Sequence, residues 1–289
     1  MLAIALAAAS SCGRTGLDHN DGRRGSGDGG SHDDAYHDDD DDDDGAQTCQ
    51  EVDFLFVIDN SNSMADNQDK LAAQYDAFID GFVATVDRLD SIHIGVVTTD
   101  EYTHNSAACG GLGGLVVETG GAHSSGRACG PYAEGHNYMT DADDLDEAFR
   151  CAADVGTDGS GKEATVTAGI AAISSPMTDS GQCNDGFVRD GALLVLVIVT
   201  DEDADLDPLF AISALTEAKG GNENDLVVVA LANGPDSGCK IDAHGQIAYG
   251  LADLIGLFRY GFLGPICAPD YGAVFTDAVA VIEAACPGR

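Results

Sequence analysis

The chain has no tryptophan, only 13 Lys and Arg against 50 Asp and Glu, and no apolar run long enough to cross a bilayer as a helix. The shortage of bases, with a net charge of −37, excludes nucleic acid and an anionic bilayer as electrostatic partners. Divalent cations and basic surfaces stay compatible with it. Several catalytic signatures are missing too. There is no H-E-x-x-H zinc helix and no G-x-S-x-G nucleophile elbow, and the eight histidines are scattered. No enzymatic activity is expected.

What the chain does have is a 44% hydrophobic content spread over 289 residues, enough for a large core, and 37 glycines, which point to long loops. Residues 1–48 hold 12 of the 50 acids, so most of the negative charge belongs to the remainder. The first twelve residues read as a signal peptide: an apolar stretch, Leu2 to Ala9, followed by Ser10, Ser11 and Cys12. Small residues before a cysteine match the cleavage box of a lipoprotein, which makes Cys12 the expected lipidation site and a lipid anchor the only expected contact with a membrane. Residues 13–48, with an unbroken Asp38–Asp44, lack the apolar groups to offset chain entropy and are expected to form a disordered tether. The eight other cysteines are an even set suited to disulfides in an exported protein.

From residue 49 to 289 apolar strands and amphipathic helices alternate, which predicts a three-layer α/β domain with a doubly wound, mainly parallel sheet. Strands are expected at 52–58, 91–99, 114–118, 192–199 and 225–231. Helices are expected after residue 64, with Leu71, Tyr75, Phe78, Ile79, Phe82, Val83 and Val86 on one face, and at 143–153, 163–174, 208–219 and near the C-terminus. His93, within a strand, is expected to be structural.

The chemistry gathers where the first strand stops. Asp59, Ser61 and Ser63 follow Ile58 at every second position, so one carboxylate and two hydroxyls can converge in a tight turn. A hard cation such as Mg²⁺ takes about six oxygens near 2.0–2.1 Å, some of them water. In open α/β sheets ligands bind beyond the carboxyl ends of the strands, so Asp201, directly after the most apolar strand, is the expected partner of that turn. Asp203, Asp205 and Asp207 alternate behind it but lack the Gly and Glu of an EF-hand, and are expected to be outer-shell or solvated. Residues 156–162 fit G-x-x-x-x-G-K, yet Glu163 stands where a phosphate loop needs Ser or Thr, and ATP is excluded.

This D-x-S-x-S turn between an apolar strand and a helix resembles the metal-ion-dependent adhesion site of von Willebrand factor type A domains, and the chain from residue 49 onward resembles their exported bacterial lipoprotein relatives. The resemblance implies a site of Asp59, Ser61, Ser63 and Asp201, completed by Glu163 or alternatively Thr165, holding Mg²⁺, Ca²⁺ or Mn²⁺. It also implies a protein ligand that offers a carboxylate to the metal, at the outer membrane or cell surface. In that architecture the start of the first strand and the end of the last helix share the pole opposite the metal, which makes Cys49–Cys286 an expected disulfide. Cys109–Cys129 is expected to staple a loop, and Cys151, Cys183, Cys239 and Cys267 are unassigned.

Overall fold

In a computed structural model, which describes residues 49–85, 89–240 and 245–286, the middle of the sheet is built from the two most apolar stretches of the sequence. These are β1 (Glu51–Ile58) and β4 (Leu193–Val199), paired in parallel from Val52↔Leu193 to Ile58↔Val199. Every residue of β4 and all but the first of β1 are buried, as expected of strands covered on both faces. On one side follow β2 (Ser91–Thr98) and the two-residue antiparallel edge strand β3 (Met139–Thr140). On the other lie β5 (Leu226–Ala232) and β6 (Gly261–Pro265), giving the order β3-β2-β1-β4-β5-β6. The leader with Cys12, the tether at 13–48 and Val86 fall outside the described residues.

Alternation along β1 sends its side chains to two different helical layers. Phe54 and Phe56 face α1 (Ala65–Thr85), α2 (Leu145–Ala153) and α6 (Gly272–Ala284). There Phe56 meets Phe149 edge-on at 4.7 Å, and Phe78 meets Phe275 at the same distance. Val57 and Leu196 face α3 (Thr165–Ala172), whose Gly169 lets the backbone approach: a Cβ there would lie 3.2 Å from Leu196. Helices α4 (Pro208–Glu217) and α5 (Tyr249–Ile255) continue that layer. The result is the expected three-layer α/β fold.

Several local expectations are corrected. The segment 114–118 is not a strand. It shares one ladder bond with β2, Val116 N–H to Val96 O at 2.8 Å; Val117 O accepts from Cys129 and Gly130 N–H, Val116 O from the Tyr132 hydroxyl, and much of the rest is taken by asparagine side chains. Asn105 accepts from Val117 and Glu118 N–H and donates to Leu115 O, while Asn184 accepts from Leu115 N–H. Cys109 bonds Cys183, not Cys129, and Cys129 bonds Cys151. The Asn184 bridge explains the first of these, since it holds the 183–184 turn against Leu115. Cys239 bonds Cys267, and Cys49 bonds Cys286. The four bonds use eight of the nine cysteines, and Cys12 is the ninth.

At the amino-terminal end of the sheet, buried Asp53 accepts from both the backbone N–H and Nε of Arg189 at 2.8 Å. Burial nonetheless pushes its carboxyl up to about 6, the nearby Arg189 charge opposing that rise. His93 donates from Nδ1 to Phe187 O at 2.8 Å, and its pKa is held down mainly by desolvation.

Candidate metal centre

The order of strands reverses between β1 and β4, and in an open α/β sheet the crevice beyond that reversal is where loops part to admit a ligand. Asp59 leaves β1 there and Thr200-Asp201 leave β4. Asp59 N–H still bonds Val199 O at 3.0 Å, so the two chain ends are held in register to the last rung. The Asp59 carboxylate is wholly buried: Oδ1 accepts from Ser61 N–H at 2.8 Å and Oδ2 from the Thr200 hydroxyl at 2.6 Å. Ser61 Oγ and Ser63 Oγ lie 3.2 Å apart, Ser61 buried and Ser63 exposed.

A third loop, residues 154–164, is pinned against this turn. Gln68 of α1 donates to both Asp59 O and Gly156 O at 2.9 Å and accepts from Gly156 N–H. Gly159 N–H bonds Asn60 O at 2.8 Å, an approach so close that a Cβ on Gly159 would fall 2.6 Å from that same oxygen. The loop delivers Glu163, buried, whose Oε2 accepts from the hydroxyl of Thr99 at the end of β2. Thr165 is turned elsewhere. Its hydroxyl donates to Asp203 O at 3.1 Å and toward Asp205 Oδ1 at 3.4 Å. Of the two alternatives for the third loop, Glu163 therefore stands beside Asp59 and Thr99, and Thr165 serves the first turn of α3.

The electrostatics of this pole are one-sided. Desolvation raises the Asp59 carboxyl above its ordinary range, and the charge of Asp201 raises it further against the pull of the Thr200 and Ser61 hydrogen bonds. Glu163 is pushed up to about 8, first by burial and then by the charges of Asp59, Asp100 and Glu202. Among the described residues no Lys or Arg forms an ion pair with Asp59, Glu163 or Asp201. Among the described residues, Glu163 Oε1 and Asp201 Oδ1 are two of five buried side-chain polar atoms with no hydrogen-bond partner. Such orphaned oxygens cost roughly 1–3 kcal/mol each unless something outside the chain satisfies them.

The donor set suits a hard divalent cation in its chemistry: it is all oxygen and anionic, and comes from three loops at the carboxyl end of the sheet. Among the described residues no group of three or more His, Cys, Asp or Glu side chains is placed to hold a metal ion by itself. An ion here would draw on the hydroxyls of Ser61 and Ser63 and on water as well as on carboxylates. Sequence reading missed Thr99, Thr200 and Gln68, whose polar groups follow or face apolar strands without any spacing signal.

Asp203, Asp205 and Asp207, expected to be outer-shell or solvated, have another task. Helices α3 and α5 begin after Ala164 and Ala248, which have no capping side chain. Asp205 accepts instead from Val166 and Thr167 N–H, and Asp203 from Gly250 and Leu251 N–H at 3.0 and 2.8 Å. Asp207 caps α4 through Leu209 and Phe210 N–H. The loop that carries Asp201 thus supplies the caps for three helices. Gly245 crosses directly over Asp201 with φ +68°, where a Cβ would lie 1.9 Å from the Asp201 carbonyl oxygen.

No family model matches the sequence, and no curated protein matches it. Solved structures do. The proximal thread matrix protein 1 of the mussel byssus is 14% identical, with a TM-score of 0.46 over 83% of this chain and 50% of its own. The manganese-loaded Plasmodium vivax TRAP protein is 11% identical, with a TM-score of 0.40 over 83% of this chain and 75% of that one. A von Willebrand factor type A protein from Catenulispora acidiphila is 17% identical, with a TM-score of 0.37 over 80% and 42%. The likeness is one of fold. This chain spans about half the length of the first of these, and its functional reading rests on the residues of its own site.

Proposed function

We propose that this chain is a divalent-cation-dependent protein-binding domain, tethered at a cell envelope through Cys12. The observation that carries the reading is the pair of buried, unpartnered carboxylate oxygens of Glu163 and Asp201 beside Asp59, with no ion pair from a basic side chain among the described residues. Burying charge without a partner is costly, and a cation is the partner this oxygen set fits. Asp59, Ser61, Ser63 and Glu163 would hold the ion, Asp201 would act through a water, and Thr99, Thr200 and Gln68 would keep the carboxylates in place. A bound ion supplies an open coordination position, which a carboxylate from a partner protein can fill. The pairing of eight cysteines, with Cys12 left over, supports export and lipid attachment.

Calorimetric titration of Mg²⁺, Ca²⁺ and Mn²⁺ into the wild type and Asp59→Ala tests the metal. Saturable binding that the substitution abolishes is expected, and its absence for all three ions would overturn the proposal. Capture of an envelope protein that is reversed by EDTA separates a binding role from one in which the ion merely stiffens the loops.

A further inference from the structure

We propose that Leu209, Phe210 and Tyr249 form an apolar landing rim beside the metal site, and that its occupant is a protein segment carrying an acidic side chain next to apolar residues and flanked by Lys or Arg. The inference rests on the metal reading above and adds the chemistry of the partner around its carboxylate.

Among the described residues the large hydrophobic side chains left exposed are Leu209 at 71%, Phe210 at 62%, Tyr249 at 59% and Leu257 at 41%. Scattered singly over a surface they would require no explanation. Their placement is not scattered. Leu209 and Phe210 occupy the first turn of α4, and Tyr249 is the first residue of α5. Both helix starts are tied to the loop that follows β4, through Asp207 to Leu209 and Phe210 N–H and through Asp203 to Gly250 and Leu251 N–H. Three of the four exposed hydrophobics therefore ring the loop bearing Asp201, and their backbones are fixed there by charge-assisted caps. Aromatic side chains such as Tyr are common anchors of a protein contact, and Phe is enriched at interface cores.

Charge selects the occupant. The loop that leads from β4 to these side chains carries Glu202, Asp203, Asp205 and Asp207. With four acidic residues within six positions of one loop, this is a negative surface. An anionic bilayer would be repelled, and so would the same rim of a second copy. A segment with Lys or Arg around its acidic residue meets the rim with opposite charge, delivers its carboxylate to the ion and covers the exposed rings.

The test uses the full chain and a set of synthetic peptides in which one Glu sits between Leu or Phe and Lys or Arg, with and without Mg²⁺. Matched peptides replace the Glu by Gln, the apolar residues by Ser, or the bases by Ser. The expected result is Mg²⁺-dependent binding of the parent peptides, weakened about tenfold or more by each replacement. The double substitution Leu209→Ser with Phe210→Ser, or Tyr249→Ser alone, should weaken binding similarly while Mg²⁺ affinity and melting temperature stay unchanged. Equal binding by the apolar-free peptides or by these variants would overturn the inference, as would failure of every peptide to bind a domain that does take Mg²⁺. Failure to bind Mg²⁺ at all would overturn the metal reading itself, and this inference with it.

Discussion

The hydroxyl of Thr200 donates to Asp59 Oδ2 at 2.6 Å, across the line where the sheet reverses its winding. One bond thus joins the ends of the two central strands and aims the carboxylate. Removing it with Thr200→Val leaves the size unchanged and frees Oδ2 of its donor. Supporting hydrogen bonds of this kind typically govern metal affinity by about 10–100-fold. A loss of that order in Mg²⁺ affinity, with the fold retained by circular dichroism, is the expected outcome.

The pH dependence follows from Glu163, whose carboxyl in the folded, metal-free chain is pushed up to about 8 from an ordinary 4.5. The folded state therefore holds this proton more tightly than the unfolded chain does. Between those two values, raising the pH lowers the stability contributed by the group, and above about 8 the contribution is flat. In EDTA the wild type should melt lower at pH 8.5 than at pH 6, by more than Glu163→Gln does (both pH values chosen to bracket the roughly 8 titration). Mg²⁺ affinity should rise with pH over the same interval, because the ion must displace the proton. A pH-independent affinity would rule Glu163 out of the coordination shell.

Gly245 offers a test of the covering loop. With φ +68° and a Cβ that would fall 1.9 Å from Asp201 O, alanine cannot be placed there without moving one backbone or the other. Gly245→Ala should weaken metal binding by displacing Asp201. Gly191, which has open space around it, should accept alanine without consequence to metal affinity.

At the other pole, Arg189→Met would leave Asp53 buried without its cation. Breaking one half of such a pair costs on the order of 3 kcal/mol, or roughly 6–12 °C in melting temperature for a domain of this size. Adding Asp53→Asn should restore part of the loss. Metal affinity should be unaffected, since these residues lie at the opposite ends of the strands.

Much of the fold was legible because β1, β4 and β5 are dominated by Val, Ile, Leu, Phe and Ala, and burial on two faces leaves such a run little choice but a central strand; β2 could be read from Ile92, Ile94, Val96 and Val97. β6 escaped notice because Gly261-Phe262-Leu263-Gly264-Pro265 has neither β-branched residues nor alternation. It becomes a strand only because β5 offers an unpaired edge. Residues 114–118 erred in the opposite sense: a strand-like composition with a single ladder bond to β2, its remaining groups divided among asparagine side chains, a tyrosine hydroxyl and the turn at 129–130. At the site, the spacing of Asp59, Ser61 and Ser63 and the position of Asp201 after an apolar strand could be read directly. Thr99 and Thr200 could not, since a hydroxyl at the end of a strand looks like any other β-former until the neighbouring loop is in place. Cys49–Cys286 was expected and is formed, whereas the partners of the six other paired cysteines depended on loop paths that carry no period at all.

The bond between Cys49 and Cys286 turns the stretch between them into a covalent ring, with Cys109–Cys183, Cys129–Cys151 and Cys239–Cys267 closed inside it. A protease that cuts once in an exposed turn opens the ring but releases no fragment. Until a second cut falls, both ends of the nick remain held by the same strand and helix, and the severed chain keeps its mass unless a reductant is added.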